Sequence, residues 1–102
     1  MSDSEKLVKI KHIKRGMRNI CVVAKVVKID PIPIWTTKLA KATIRDDTGT
    51  IILNLWRDQV EQCRVGDLIK VRDAYVKLNR GKLELNTWKP IEVLSSRKKE
   101  DI

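Results

Sequence analysis

Two kinds of side chain in this sequence are placed to meet a flat, anionic ligand: aromatic rings on the outer side of strands, and the lysines and arginines around them. The stretch Asp46-Asp47-Thr48-Gly49-Thr50-Ile51-Ile52-Leu53-Asn54-Leu55-Trp56 reads as a tight turn followed by a strand. Residues two apart in a strand share a face. Ile51, Leu53 and Leu55 therefore form a core face, and Ile52, Asn54 and Trp56 the opposite one. An indole on the outside, beside an amide, in a chain of formal net charge +9, fits a nucleic-acid strand. Unstacked bases gain about 1 to 3 kcal/mol each by stacking on aromatic faces, and cationic side chains follow the phosphates.

Three further aromatics are candidates for stacking. Tyr75 lies in the fourth strand, which bends near Asp73-Ala74, so either facing is open to it. Trp88 shares the parity of Glu84 and Asn86 on the outer side of the fifth strand, and Trp35 sits in a loop beside Pro31 and Pro33. Each has a structural alternative: Trp56 against a short helix, Tyr75 as a cross-strand partner, Trp88 capping the barrel mouth, Trp35 packing on the barrel. The phosphate candidates are Lys38, bordering the first loop; Lys41 and Arg45, sharing an outer strand face; Arg57, directly after Trp56; and Lys77, Arg80 and Lys82, around the last hairpin. Asn54 and Asn86 carry amides suited to base edges. Few polar groups remain for edge recognition, so strong sequence preference is not expected.

The same reading excludes other chemistry. There is no Gly-rich phosphate loop and no Ser-His-Asp arrangement, so an enzyme is not expected. With one histidine, His12, and two well-separated cysteines, Cys21 and Cys63, neither a zinc pattern nor a disulfide framework is present, and no cofactor or metal is expected. Asp46 and Asp47 are explained by turn formation. Apolar runs are too short to span a membrane and residues 1–14 show no signal-peptide pattern, so a cytoplasmic protein is expected, nuclear in a eukaryote.

The elements that hold these residues follow from period-two patterning. At 102 residues the chain is one domain. Its apolar residues are mainly Val, Ile and Leu, with no Phe, which favours strands. Residues 19–30 read as a first strand whose inward phase shifts at Val26-Val27, the mark of a bulge. Leu39 to Asp46 is the second strand, Thr50 to Trp56 the third. A short helix follows, capped by Asp58 and running to about Cys63, with Val60 and Cys63 inward. Leu68 to Leu78 and Lys82 to Trp88 form a hairpin around Asn79-Arg80-Gly81, and Ile91, Val93 and Leu94 close the barrel. This is an all-β layout, a five-stranded Greek-key barrel of the OB type with a short helix between strands 3 and 4. Residues 1–18 form a basic segment packing on the barrel through Leu7, Ile10, Ile13 and Met17. Residues 19–94 form the OB domain, and 95–102 a charged flexible tail.

At the level of motifs the chain resembles a known family. Ile13-Lys14-Arg15-Gly16-Met17-Arg18-Asn19, Asp46-Asp47-Thr48-Gly49, Leu53-Asn54-Leu55-Trp56, Val65-Gly66-Asp67-Leu68-Ile69-Lys70-Val71 and Arg80-Gly81-Lys82-Leu83-Glu84-Leu85-Asn86 occur in the order found in OB domains of archaeal single-stranded DNA-binding proteins and the replication protein A family. The resemblance implies base stacking on Trp56 and Tyr75. It also implies an aromatic just before the last hairpin's Arg-Gly, where this chain has Asn79. The expectation is thus a monomer that binds single-stranded DNA in replication, repair or strand protection, alongside replication or repair proteins. Two alternatives stay open: an RNA- or tRNA-binding OB module, and a protein-interaction subunit of a replication protein A-like complex.

Overall fold

The computed structural model describes residues 6–33 and 38–96. Seven strands lie among them: β1 (Lys6–Leu7), β2 (Ile20–Ile32), β3 (Leu39–Asp46), β4 (Gly49–Trp56), β5 (Leu68–Asn79), β6 (Lys82–Asn86) and β7 (Glu92–Ser95). Five close a ring in the order β2-β3-β4-β6-β5, with β5 pairing back onto β2. Every junction of that ring is antiparallel except β4–β6, which is parallel. This is the expected Greek-key barrel. The parallel junction needs a crossover, supplied by a 3-10 helix, Arg57–Glu61, and by β5 itself. Among the described residues no helix is long and apolar enough to cross a membrane.

The inward residues are those the alternation selects. Ile20, Val22, Ala24 and Val26 meet Ala40, Ala42 and Ile44, then Ile51, Leu53 and Leu55, and Leu85 across the ring, all buried. The phase change in β2 is a bulge: Val26 pairs with Ile44 and Lys28 with Thr43, so Val27 is the extra residue. Cys21 and Cys63 are free and buried. Burial, aided by the Asp67 charge, pushes the Cys63 thiol up to about 11.

Three expectations change. The helix after β4 is a 3-10 helix, and Asp58 does not cap it. Arg57 adopts φ +55° and turns the chain at once, so Trp56 takes the cap position and Gln59, three residues on, accepts a hydrogen bond from its N–H at 2.9 Å. The last strand is broken after Asn86. β6 and β7 both pair with β5, separated by residues 87–91. The ring is closed by β2–β5 pairing; Ile91 is buried, but Val93 and Leu94 are exposed on β7.

The N-terminal segment plugs one end of the barrel. β1 runs parallel to the start of β2. A 3-10 turn, Ile10–His12, then inserts Ile10, and Ile13 follows it into the core, while Leu7 stays exposed. The β3–β4 turn holds this plug. One Asp46 carboxylate oxygen accepts from the Thr48 N–H (2.7 Å), the Thr48 hydroxyl (2.6 Å) and the Gly49 N–H (3.2 Å). The other accepts from the Ile10 N–H at 2.8 Å. Lys9 pairs with Asp47 at 2.7 Å. Burial alone would raise the Asp46 pKa, but these hydrogen bonds outweigh it and hold the carboxyl below its ordinary value.

A depressed carboxyl pKa adds stability above the unfolded value of about 4, and that stability is lost as pH falls through the folded value. Asp46→Ala is therefore expected to cost about 1–3 kcal/mol at pH 7, with the gap to the parent chain narrowing near pH 3. Urea denaturation at the two pH values checks this; an equal gap at both would rule the account out.

Candidate nucleic-acid interface

The outer face of β3, β4 and β6 is floored by a polar network around Glu84. Lys41 stands opposite Asn54 across β3–β4, and Glu84 lies beside them on β6. The Lys41 ammonium donates to Asn54 Oδ1 at 2.9 Å and to both Glu84 oxygens at 3.1 and 3.0 Å. Asn54 Nδ2 donates to Glu84 Oε1 at 2.9 Å and to Asn86 Oδ1 at 3.2 Å. Asn79 Nδ2 adds a bond to Glu84 Oε2 at 3.2 Å. The Trp56 indole N–H reaches Asn86 Oδ1 at 3.4 Å. Glu84 is only 7% exposed. Burial would raise its pKa, yet the bonds from Asn54, Lys41 and Asn79, with the Lys41 charge, keep it below the usual carboxylate range.

This floor changes the roles of four residues. Asn54 and Asn86 are buried; both amide atoms of Asn54 are bonded to neighbours, and Asn86 Oδ1 accepts from Asn54 and the Trp56 indole. Lys41 is committed to Glu84. Asn79, where the family resemblance leads one to expect an aromatic, gives Glu84 a donor that an aromatic hydrocarbon ring would lack.

Three of the four candidate aromatics come together beside this floor. Tyr75 faces outward because β5 is bulged: Ile20 pairs with Ala74 and Val22 with Val71, so Arg72 and Asp73 oppose the single residue Cys21. Asp73 sits at φ +49° there. The extra residue turns both Val71 and Ala74 inward and leaves Tyr75 outside. Trp88 projects from the arch of residues 87–91 and is 85% exposed. Its ring lies 5.9 Å from that of Tyr75 at 30°, within the range of favourable aromatic pairs. Trp56 is 42% exposed. All three line one open groove of about 590 Å³, with Arg57, Gln59 and Lys89. On the other side of the Tyr75–Trp88 pair lies a second hollow of about 570 Å³, bordered by Arg18, Asn19, Asp73 and Lys77. The pair is a ridge between two hollows. Trp35 lies outside the described residues.

The cations divide by partner. Lys38 pairs with Glu61, and Lys89 with Asp73 at 2.9 Å. Among the described residues no ion pair engages Arg18, Arg45, Arg57, Lys77, Arg80 or Lys82. Arg57 and Lys77 border the two aromatic hollows. Lys82 lines a separate hollow with Thr43 and Ile52 at the far end of the same face, and Arg45 pairs in register with Thr50 near that end. Thr50 to Trp56 spans roughly 20 Å along β4. Arg80 is at the tip of the last hairpin with φ +53°, followed by Gly81 at +81°, the backbone of a type I′ turn. Residue-by-residue reading passes over Arg18, Gln59 and Lys89 as site residues: Arg18 reaches the hollow through the β2–β5 junction, and the other two through the arch. Among the described residues no group of three or more His, Cys, Asp or Glu side chains is placed to hold a metal.

Residues 6–93 match the family model described as single-stranded DNA binding protein Ssb-like, OB fold. A similar curated protein is the single-stranded DNA binding protein Ssb of Saccharolobus solfataricus, 24% identical over 83 residues covering 76% of this chain. The matched part is 56% of that protein, so this chain spans little more than half its length. Among solved structures, the replication factor A related protein from Methanobacterium thermoautotrophicum gives a TM-score of 0.74 at 26% identity, covering 93% of this chain and 96% of the other. A domain of replication protein A from Methanococcus maripaludis gives 0.75 at 26% identity, covering 88% and 97%. The OB domain of Ta0387 from Thermoplasma acidophilum gives 0.77 at 20% identity, covering 96% and 95%, a likeness of fold.

The floor makes a prediction of its own. Lys41→Met leaves the buried Glu84 carboxylate without its cation and should cost about 1–3 kcal/mol at pH 7. The Glu84 pKa should rise towards or above its unfolded value, so less of its contribution is left to lose in acid and the gap to the parent chain should narrow from pH 7 to pH 3. Denaturation midpoints from pH 7 to pH 3 test this, and superimposable profiles would refute it.

Proposed function

This chain belongs to the Ssb-like family of single-stranded DNA binding proteins with an OB fold, and on that footing we propose that it binds single-stranded DNA without strong sequence preference. The observation that carries the proposal is the convergence of Trp56, Tyr75 and Trp88 on one groove beside Arg57, with Arg18 and Lys77 in the hollow across the Tyr75–Trp88 ridge. Bases stack on the exposed indole faces of Trp56 and Trp88, with Tyr75 backing Trp88. Phosphates run past Arg57 at one side of the ridge and past Arg18 and Lys77 at the other. Arg45, Lys82 and Arg80 extend the basic path towards the far end of the face and the last hairpin. Asn54, Asn86 and Lys41 support the indole from below and do not read bases, in keeping with a sequence-tolerant site. One barrel of this kind covers on the order of 4 to 16 nucleotides. Protection of exposed strands during replication or repair is the role this chemistry serves. The similarity to a replication factor A related protein supports it.

Two measurements test the reading. By anisotropy of labelled oligo-dT, Trp56→Ala and Trp88→Ala should each weaken binding by about 1–3 kcal/mol. Unchanged affinity in both would mean that the face docks a protein partner instead. In a salt titration, Arg57→Ala should flatten the slope of log K against log salt by about 0.7, the release from one single-strand phosphate contact. Equal or tighter binding of oligo-U than of oligo-dT would replace DNA by RNA as the ligand.

A further inference from the structure

We propose that Gln59 is a positioning residue that clamps Trp56 and Trp88 at a fixed spacing and so pre-forms the trench for stacked bases; this rests on the stacking reading above. Gln59 is 7% exposed, in the 3-10 helix between the two tryptophans. Its single amide makes three bonds. Oε1 accepts from the Trp56 N–H at 2.9 Å. Nε2 donates to the carbonyls of Thr87 at 2.8 Å and Lys89 at 2.9 Å, the residues on either side of Trp88. A flipped amide would set its NH₂ against an N–H donor and its oxygen against two carbonyls, so the pattern admits one orientation.

The arch needs this tie. β6 pairs with β5 at Tyr75–Asn79 and β7 pairs with it at Leu68–Lys70. The arch therefore spans the part of β5 that holds the Asp73 bulge, where neither strand continues its ladder. Its carbonyls must find partners elsewhere. Gln59 supplies two of them. Gln62 secures the far end by accepting from the Ile91 N–H at 2.7 Å, and the Thr87 hydroxyl donates to the Arg72 carbonyl. Trp88 itself, being largely exposed, contributes little burial to hold the arch. A platform fixed before the ligand arrives avoids the cost of ordering it on binding, and a strand stacked on both indoles depends on their separation.

Gln59→Glu separates the two halves of the clamp. The carboxylate still accepts from Trp56, but it loses both donors and faces two carbonyls. We expect it to weaken oligo-dT binding about five- to tenfold, and to have no further effect once Trp88 is replaced by Ala. The backbone order parameter of the Trp88 amide should be about 0.85 in the parent chain and fall below about 0.6 in Gln59→Glu. The same fold-loss with and without Trp88 would overturn the clamp. Should Gln59→Glu not fold, the parent chain decides alone: an order parameter at Trp88 below about 0.6 shows an arch that is not held, and overturns it. Absence of oligo-dT binding by the parent chain would instead overturn the stacking reading, and the order parameters would still decide whether Gln59 holds the arch.

Discussion

The architecture depends on one constraint: a ring of five strands must curl tightly enough for β5 to pair with β2. Regular pleated strands do not bend so sharply, and both strands of that junction carry an extra residue. In β2 it is Val27, which lets the strand turn from its β5 partner to its β3 partner. In β5 the pair Arg72 and Asp73 stands against Cys21 alone. A bulge also reverses the side-chain phase downstream of it. The same feature that closes the barrel therefore sends Tyr75 outward, and it leaves the gap across which the arch of Trp88 is slung. Closure and site share one cause.

The polar groups of the candidate face are used as structure. Glu84 is a buried carboxylate, a costly thing unless fully satisfied. Lys41, Asn54 and Asn79 satisfy it, and Asn86 passes the network on to the Trp56 indole. Gln59 plays the matching part on the other side of the groove. The result is a hard polar base carrying exposed aromatic surface. Rings held from beneath keep a fixed exposed face, which is what the proposed stacking requires.

Much of this was legible in the residues. Alternation in Ile51, Leu53 and Leu55 set the core face of β4 and put Trp56 outside. The Val26-Val27 phase slip marked the β2 bulge, and Asn79-Arg80-Gly81 marked the last hairpin. The bend near Asp73-Ala74 was visible, but the facing of Tyr75 was not, since that depends on how many residues the partner strand supplies opposite it. The break after Asn86 was also hidden. Lys82 to Trp88 alternates well enough for one strand, and only Gln59, which takes up the carbonyls of Thr87 and Lys89, shows why it stops.

The sequence by itself determined the barrel, its core and the presence of outward aromatics among cations, because period-two alternation and turn chemistry are local properties. Only the tertiary structure decided which polar residues stay free. Lys41, Asn54 and Asn86 share the outer parity with Trp56 or Trp88, yet they meet Glu84 and one another across strands distant in the chain, and so form the floor. Arg18 reaches the site across the β2–β5 junction and Gln59 through the arch, contacts that register and closure create and no local pattern encodes.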